Sequence, residues 1–154
     1  MIIVINNNFG GFSLSPLAVK RIAELNGKEC YFFDTKLSGE PQNRYTPIPL
    51  EGADCVMLWV AFSVKNPAEF LPKEERGKDG TYKDFNTEYK KIKLDNRPND
   101  RTDPVLIRVV EELGISANGS CASLKVIEIP DGTDWEIDEY DGSESVHEKH
   151  ESWS

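Results

Sequence analysis

Met1-Ile2-Ile3-Val4-Ile5, then Asn6-Asn7-Asn8-Phe9-Gly10-Gly11-Phe12, then Ser13-Leu14-Ser15-Pro16 running on to Asn26-Gly27: this stretch decides how the chain reads. The first five residues are a β-branched run of the kind that makes a buried strand. Asn and Gly cannot continue it, because both favour turns and tolerate positive φ. Ser15 suits an N-cap and Pro16 the first helical position, where a missing N–H costs nothing. Leu14 and Val19 fall at the staple positions around that cap. Asn26-Gly27 supplies a left-handed helix end. The reading is strand, glycine loop, helix, with loop N–H groups and the positive helix end able to face an anion.

The 154 residues suit one domain with a real core. No apolar run approaches the roughly 18 residues a membrane helix needs, and no basic signal region precedes the first strand. Cys30, Cys55 and Cys121 are odd in number and widely spaced, which favours free cytosolic thiols over a disulfide frame or zinc site. The net charge of −9 is uneven: residues 131–154 hold nine acids and one base, Lys149, against 18 acids and 17 bases in residues 1–130. Such a segment repels nucleic acid, so no nucleic-acid partner is expected, and a bound phosphate needs a local pocket.

Outward from the first helix, Glu29–Phe33 reads as a second strand placed beside the first. Residues 34–54 form an excursion broken by Pro41, Pro47 and Pro49. The apolar run Cys55–Val64 reads as a central strand. Residues 65–101 read as a flap or oligomer contact, with helical spacing of Tyr82, Phe85, Tyr89 and Ile92 predicting a helix near 83–93. Asp103-Pro104 opens a helix that ends at Leu113-Gly114, with Leu106, Val109, Val110 and Leu113 as its buried stripe. Ser123–Ile129 and Trp135–Tyr140 read as strands of one antiparallel hairpin across the Pro130–Thr133 turn. After Asp141-Gly142, Ser145 and Glu148 match a capping box for a last helix carrying Val146, His150 and Trp153 on one face. On these faces Trp135 and Trp153 are expected to be largely buried.

Three groups of side chains could carry chemistry. Phe9, Gly10, Gly11, Phe12 and Ser13 combine N–H donors with aromatic faces, as a nucleotide site does. The plainer alternative is a tight turn whose phenylalanines enter the core. Arg97 and Arg101 precede the Asp103 cap, and arginine pairs phosphate in two-pronged fashion. Arg101 reads as exposed, or else paired with Asp103 or the acidic tail. Lys125 is a second phosphate-neutralising candidate, although Ile127 and Ile129 share its face. His147 and His150 lie a helical turn apart but bring too few convergent ligands for metal. Glu136, Asp138 and Glu139 read as solvated strand residues. Nothing resembles a nucleophile–base pair, since Ser13 and Ser15 have no histidine near them in sequence.

The Asn8–Phe12 loop, Arg101-Thr102-Asp103-Pro104 with Val109–Gly114, and Leu124–Asp131 running through Trp135–Gly142 to Trp153 together resemble a widespread phage-encoded family of small proteins. That resemblance implies a phage or prophage protein in the bacterial cytosol. It is compatible with phage proteins that sequester nucleotide signals of host defence, such as cyclic ADP-ribose isomers or cyclic dinucleotides. The expected architecture is a single α+β domain over 1–154, with a small mixed sheet, a C-terminal hairpin and two to four helices. The expected function is tight binding of a phosphorylated small molecule without catalysis, by a self-associating protein needing no cofactor and no membrane. The alternatives are an acidic nucleic-acid mimic and a nucleotide-processing enzyme using the acids at 136–139.

Overall fold

A computed structural model describes residues 1–34, 46–47, 60–66 and 91–149. The fold is α+β. In chain order the described elements are β1 (Ile2–Asn6), α1 (Pro16–Leu25), β2 (Tyr31–Asp34), β3 (Thr46–Pro47), β4 (Val60–Ser63), α2 (Pro104–Leu113), a 3-10 turn (Gly114–Ala117), β5 (Leu124–Glu128), β6 (Trp135–Tyr140) and β7 (Ser143–Glu148). The residues fall into two compact units, Met1–Ala18 with Arg97–Ser154, and Val19–Asn96.

In the first unit β1 pairs antiparallel with β5, from Ile2 opposite Glu128 to Asn6 opposite Leu124. Ile3, Val4 and Ile5 are all buried, so this short strand is covered on both faces. Helix α2 packs on β1 and β5 through Leu106, Val109 and Val110. Its start follows the sequence: Asp103 accepts from the Val105 and Leu106 N–H groups, and Pro104 takes the first turn. Strands β6 and β7 make a separate two-stranded sheet. Their turn is Asp141-Gly142, both with positive φ (50° and 88°), the mirror-image turn that matches strand twist.

The second unit holds the antiparallel sheet β3-β2-β4. Phe32 and Phe62 sit opposite each other and meet edge to face at 5.6 Å. Ile92 is buried here, and its carbonyl accepts the Val64 N–H at 2.8 Å. Helix α1 ends as its sequence predicts. Gly27, at φ 66°, donates to the Glu24 carbonyl and Lys28 to that of Ala23, at 3.0 and 2.8 Å.

Three pairings differ from expectation. Strand β2 does not pair with β1; among the described residues it pairs with β3 and β4, and β1 pairs with β5. All described pairs are antiparallel, so the expected mixed sheet is three small antiparallel ones. The Ser123–Ile129 and Trp135–Tyr140 segments do not pair with each other. The two-residue Asp-Gly turn closes a tight hairpin, so Trp135–Tyr140 pairs forward with β7 instead. The expected last helix is therefore strand through Glu148: alternation places Val146 opposite Ile137, and this pairing overrides the local capping-box pattern. Trp135 is half-buried rather than fully covered, because a two-stranded sheet covers little of its own face. Trp153, His150, Cys55, most of the 34–54 excursion and 65–101 flap, and most of the helix near 83–93 lie outside the described residues.

Candidate functional site

The end of β1 makes a particular demand on its surroundings. On the β5 side the ladder runs on, with Asn7 donating to the Ser123 carbonyl at 2.8 Å and Ile129 to that of Met1 at 2.9 Å. On the opposite edge, buried N–H groups need acceptors from elsewhere. Val4 donates to the Arg101 carbonyl at 2.9 Å. Asn6 donates to Glu144 Oε2 at 2.8 Å. A carboxylate on β7 thus completes the hydrogen bonding of β1.

The Asn6 side chain, fully buried, extends the same network. Its Nδ2 donates to the Asn8 and Gly142 carbonyls, each at 2.6 Å, while Oδ1 accepts the Ser123 N–H at 2.7 Å. The strand end, the glycine loop and the β6–β7 turn are thereby joined through one amide. Gly10 donates to the Asp141 carbonyl at 3.0 Å. Gly142 lies so close to the Gly10–Gly11 backbone that a Cβ there would overlap both nitrogens. Gly10 and Gly11 have φ of 107° and 89°, which L side chains rarely adopt.

Arg101 sits at the centre. Its guanidinium lies 3.4 Å over the Phe12 ring, and Nη2 donates to Glu144 Oε1 at 3.0 Å. The two side chains are 15% and 7% exposed, so a half-buried arginine meets a buried carboxylate, stacked on an aromatic face. Burial pulls the guanidinium pKa down from its ordinary value, and Glu144 opposes that shift. Nη1 is buried and has no hydrogen-bond partner among the described residues. A buried guanidinium N–H without an acceptor is costly.

The expected site residues divide accordingly. Gly10, Gly11, Phe12 and Arg101 come together, but not all as free binding groups. The Gly10 N–H is spent on Asp141. Phe12 is 5% exposed and its face is covered by Arg101, so it cannot stack a base. Phe9, 59% exposed, still can. Arg101 is not exposed; of the plainer alternatives it takes pairing with the acidic tail, because Asp103 is engaged as the α2 cap. Ser13 is half-buried against Gly119, whose N–H donates to the Ser13 carbonyl at 2.9 Å. The N–H groups of Gly11, Phe12 and Ser13 have no partner among the described residues. Lys125 is exposed on β5, opposite Ile5, and the Arg101 backbone lies on the other edge of β1.

The start of α1 does not present its dipole to a ligand. Ser15 Oγ accepts from the Ala18 N–H at 3.1 Å and donates to the Ser116 carbonyl at 2.6 Å. Its own N–H donates to the Ala117 carbonyl at 2.9 Å. The 3-10 turn closes that helix end, leaving the loop rather than the helix as the source of donors.

Two features escaped the sequence reading. Glu144 was one acid among nine; the only signal was its sharing a strand face with Val146. The other is Ser145 Oγ, 2.8 Å from His147 Nε2 on the outer face of β7, with Glu136 across from His147. Strand periodicity puts residues two apart on one face, which a helical reading of 145–153 conceals. Among the described residues, no group of three or more His, Cys, Asp or Glu is placed to hold a metal ion, and no helix is long and apolar enough to cross a membrane. No protein-family model matches this chain, and neither a curated protein nor a solved structure matches it.

Proposed function

We propose that this protein binds a phosphorylated small molecule at the Gly10–Ser13 loop and holds it without turning it over. The observation that carries the reading is Arg101 Nη1, a buried donor unpaired among the described residues. The Gly11, Phe12 and Ser13 N–H groups, in the loop whose Phe12 ring the guanidinium covers, offer further donors to anionic oxygen. Phe9 supplies an exposed ring for a base. Within this class the resemblance to phage proteins favours a nucleotide signal, cyclic rather than linear, sequestered in the bacterial cytosol.

The test is incubation with a panel of cyclic and linear nucleotides, removal of excess, and chromatography of what the protein releases. Intact recovery of one nucleotide supports binding without catalysis, and no uptake overturns it. Arg101→Lys then isolates the contact. It keeps a positive charge beside Glu144 but loses the second amino group, so affinity should fall about ten- to a hundred-fold, the equivalent of roughly 1.5–3 kcal/mol. Equal affinity removes Arg101 from the site.

A second reading, hydrolysis, rests on the Ser145–His147 hydrogen bond. The same chromatography separates the two: an altered nucleotide that Ser145→Ala leaves unaltered would replace binding with catalysis.

A further inference from the structure

Resting on the binding reading above, we infer that Glu144 makes this site selective for singly charged phosphodiesters over doubly charged phosphomonoesters. The half-buried Arg101 charge is already matched: Glu144 Oε1 accepts from Nη2 at 3.0 Å, and Glu144 is itself held by the Asn6 N–H on its other oxygen at 2.8 Å. The pair sits at 15% and 7% exposure, with the Phe12 ring against the guanidinium. What remains for a ligand is the guanidinium N–H groups that Glu144 does not take, those of Nη1 among them, and the neutral N–H groups of residues 11–13.

An incoming oxygen at Nη1 feels the arginine and, across the same guanidinium, the carboxylate. Attraction and repulsion both scale with the ligand's charge, so a second negative charge gains little from the pair. The cost of removing an ion from water rises more steeply, with the square of its charge. A dianion therefore loses more on entering than this neutral pair returns. A phosphomonoester carries about −1.5 to −2 at pH 7, whereas a diester carries one charge and still offers two oxygens to neutral donors. The site suits the diester.

Matched nucleotides isolate this difference, because 3′,5′-cyclic and 5′-monophosphates share base and sugar and differ in phosphate charge. Calorimetric titration of wild type with both forms of adenosine, guanosine, cytidine and uridine should show the cyclic form bound at least tenfold tighter for whichever base binds. Glu144→Gln keeps an acceptor for the Asn6 N–H and removes the charge. In that variant, with folding checked by its melting curve, the monophosphate should gain affinity until the ratio lies within about threefold. A wild-type preference for the monophosphate, or none, overturns the inference without any variant. A folded Glu144→Gln protein with an unchanged ratio overturns it as well. Binding in the wrong order overturns the inference and leaves the binding reading standing, and no binding of any of these mononucleotides overturns the inference while the wider nucleotide panel decides the binding reading.

Discussion

Arg101 illustrates how one residue can serve structure and site together. Its carbonyl caps the free edge of β1, its guanidinium lies on Phe12, and its charge is answered by Glu144. Removing one partner of a buried pair leaves the other charge uncompensated, which costs about 3–5 kcal/mol. Arg101→Ala is therefore expected to lower unfolding free energy in urea by an amount in that range. Arg101→Ala combined with Glu144→Ala should cost less than the sum of the single changes; strict additivity would show that the pair does not interact. Gly142 and Gly11 offer a second comparison. Both have positive φ, 88° and 89°, so alanine at either is strained by roughly 1–2 kcal/mol. A Cβ at Gly11 meets nothing within 4 Å, whereas one at Gly142 overlaps the Gly10 and Gly11 nitrogens. Gly142→Ala should accordingly melt well below Gly11→Ala, and equal melting points would disprove the close approach of turn and loop.

At the level of elements, the loop and hairpin share their contacts. The β6–β7 turn is held through Gly10 N–H to Asp141, Asn6 Nδ2 to Gly142 and Asn6 N–H to Glu144. Amide exchange reads this directly. The Asn6 and Gly10 amides should exchange slowly, and those of Gly11, Phe12 and Ser13 fast, because the latter have no described acceptor. A bound nucleotide should slow the fast set while leaving Asn6 unchanged. Fast exchange at Asn6 in the free protein would mean that Glu144 does not cap it. Much of this element was legible in advance: the strand, the positive-φ glycines, the Ser15 and Asp103 caps and the Asp141-Gly142 turn all follow from local chemistry. The partner of each strand was not. Pairing joins residues more than a hundred positions apart, such as Ile3 with Ile127, and apolar periodicity carries no address.

For the whole molecule, the uneven charge and the free thiols set the response to solution conditions. Burial pushes the Cys30 thiol up to about 12, above the unfolded value near 8.5. The folded state then keeps a proton that the unfolded state releases. This contribution is full below about pH 8.5 and is lost as pH rises toward 12. Melting temperature should decline between pH 8 and 10.5, and Cys30→Ala should flatten that decline; equal slopes would mean Cys30 is solvated. Cys121 is exposed and should alkylate before Cys30. Asp100 moves the other way, held low by its hydrogen bonds from Thr102, and this exposed carboxylate acts only as acid is added.

By itself the sequence determined the α+β class, the first strand, the helix caps, the turn glycines and the concentration of acid beyond residue 130, because each depends on side chains within a few positions. Tertiary structure alone decided that β5 is the neighbour of β1, that residues 143–148 are strand, and that one acid of nine is buried on Arg101. The physical reason is that a buried N–H or guanidinium must find an acceptor wherever the folded chain supplies one. The β6–β7 register brings Glu144, rather than its acidic neighbours, to the open edge of β1.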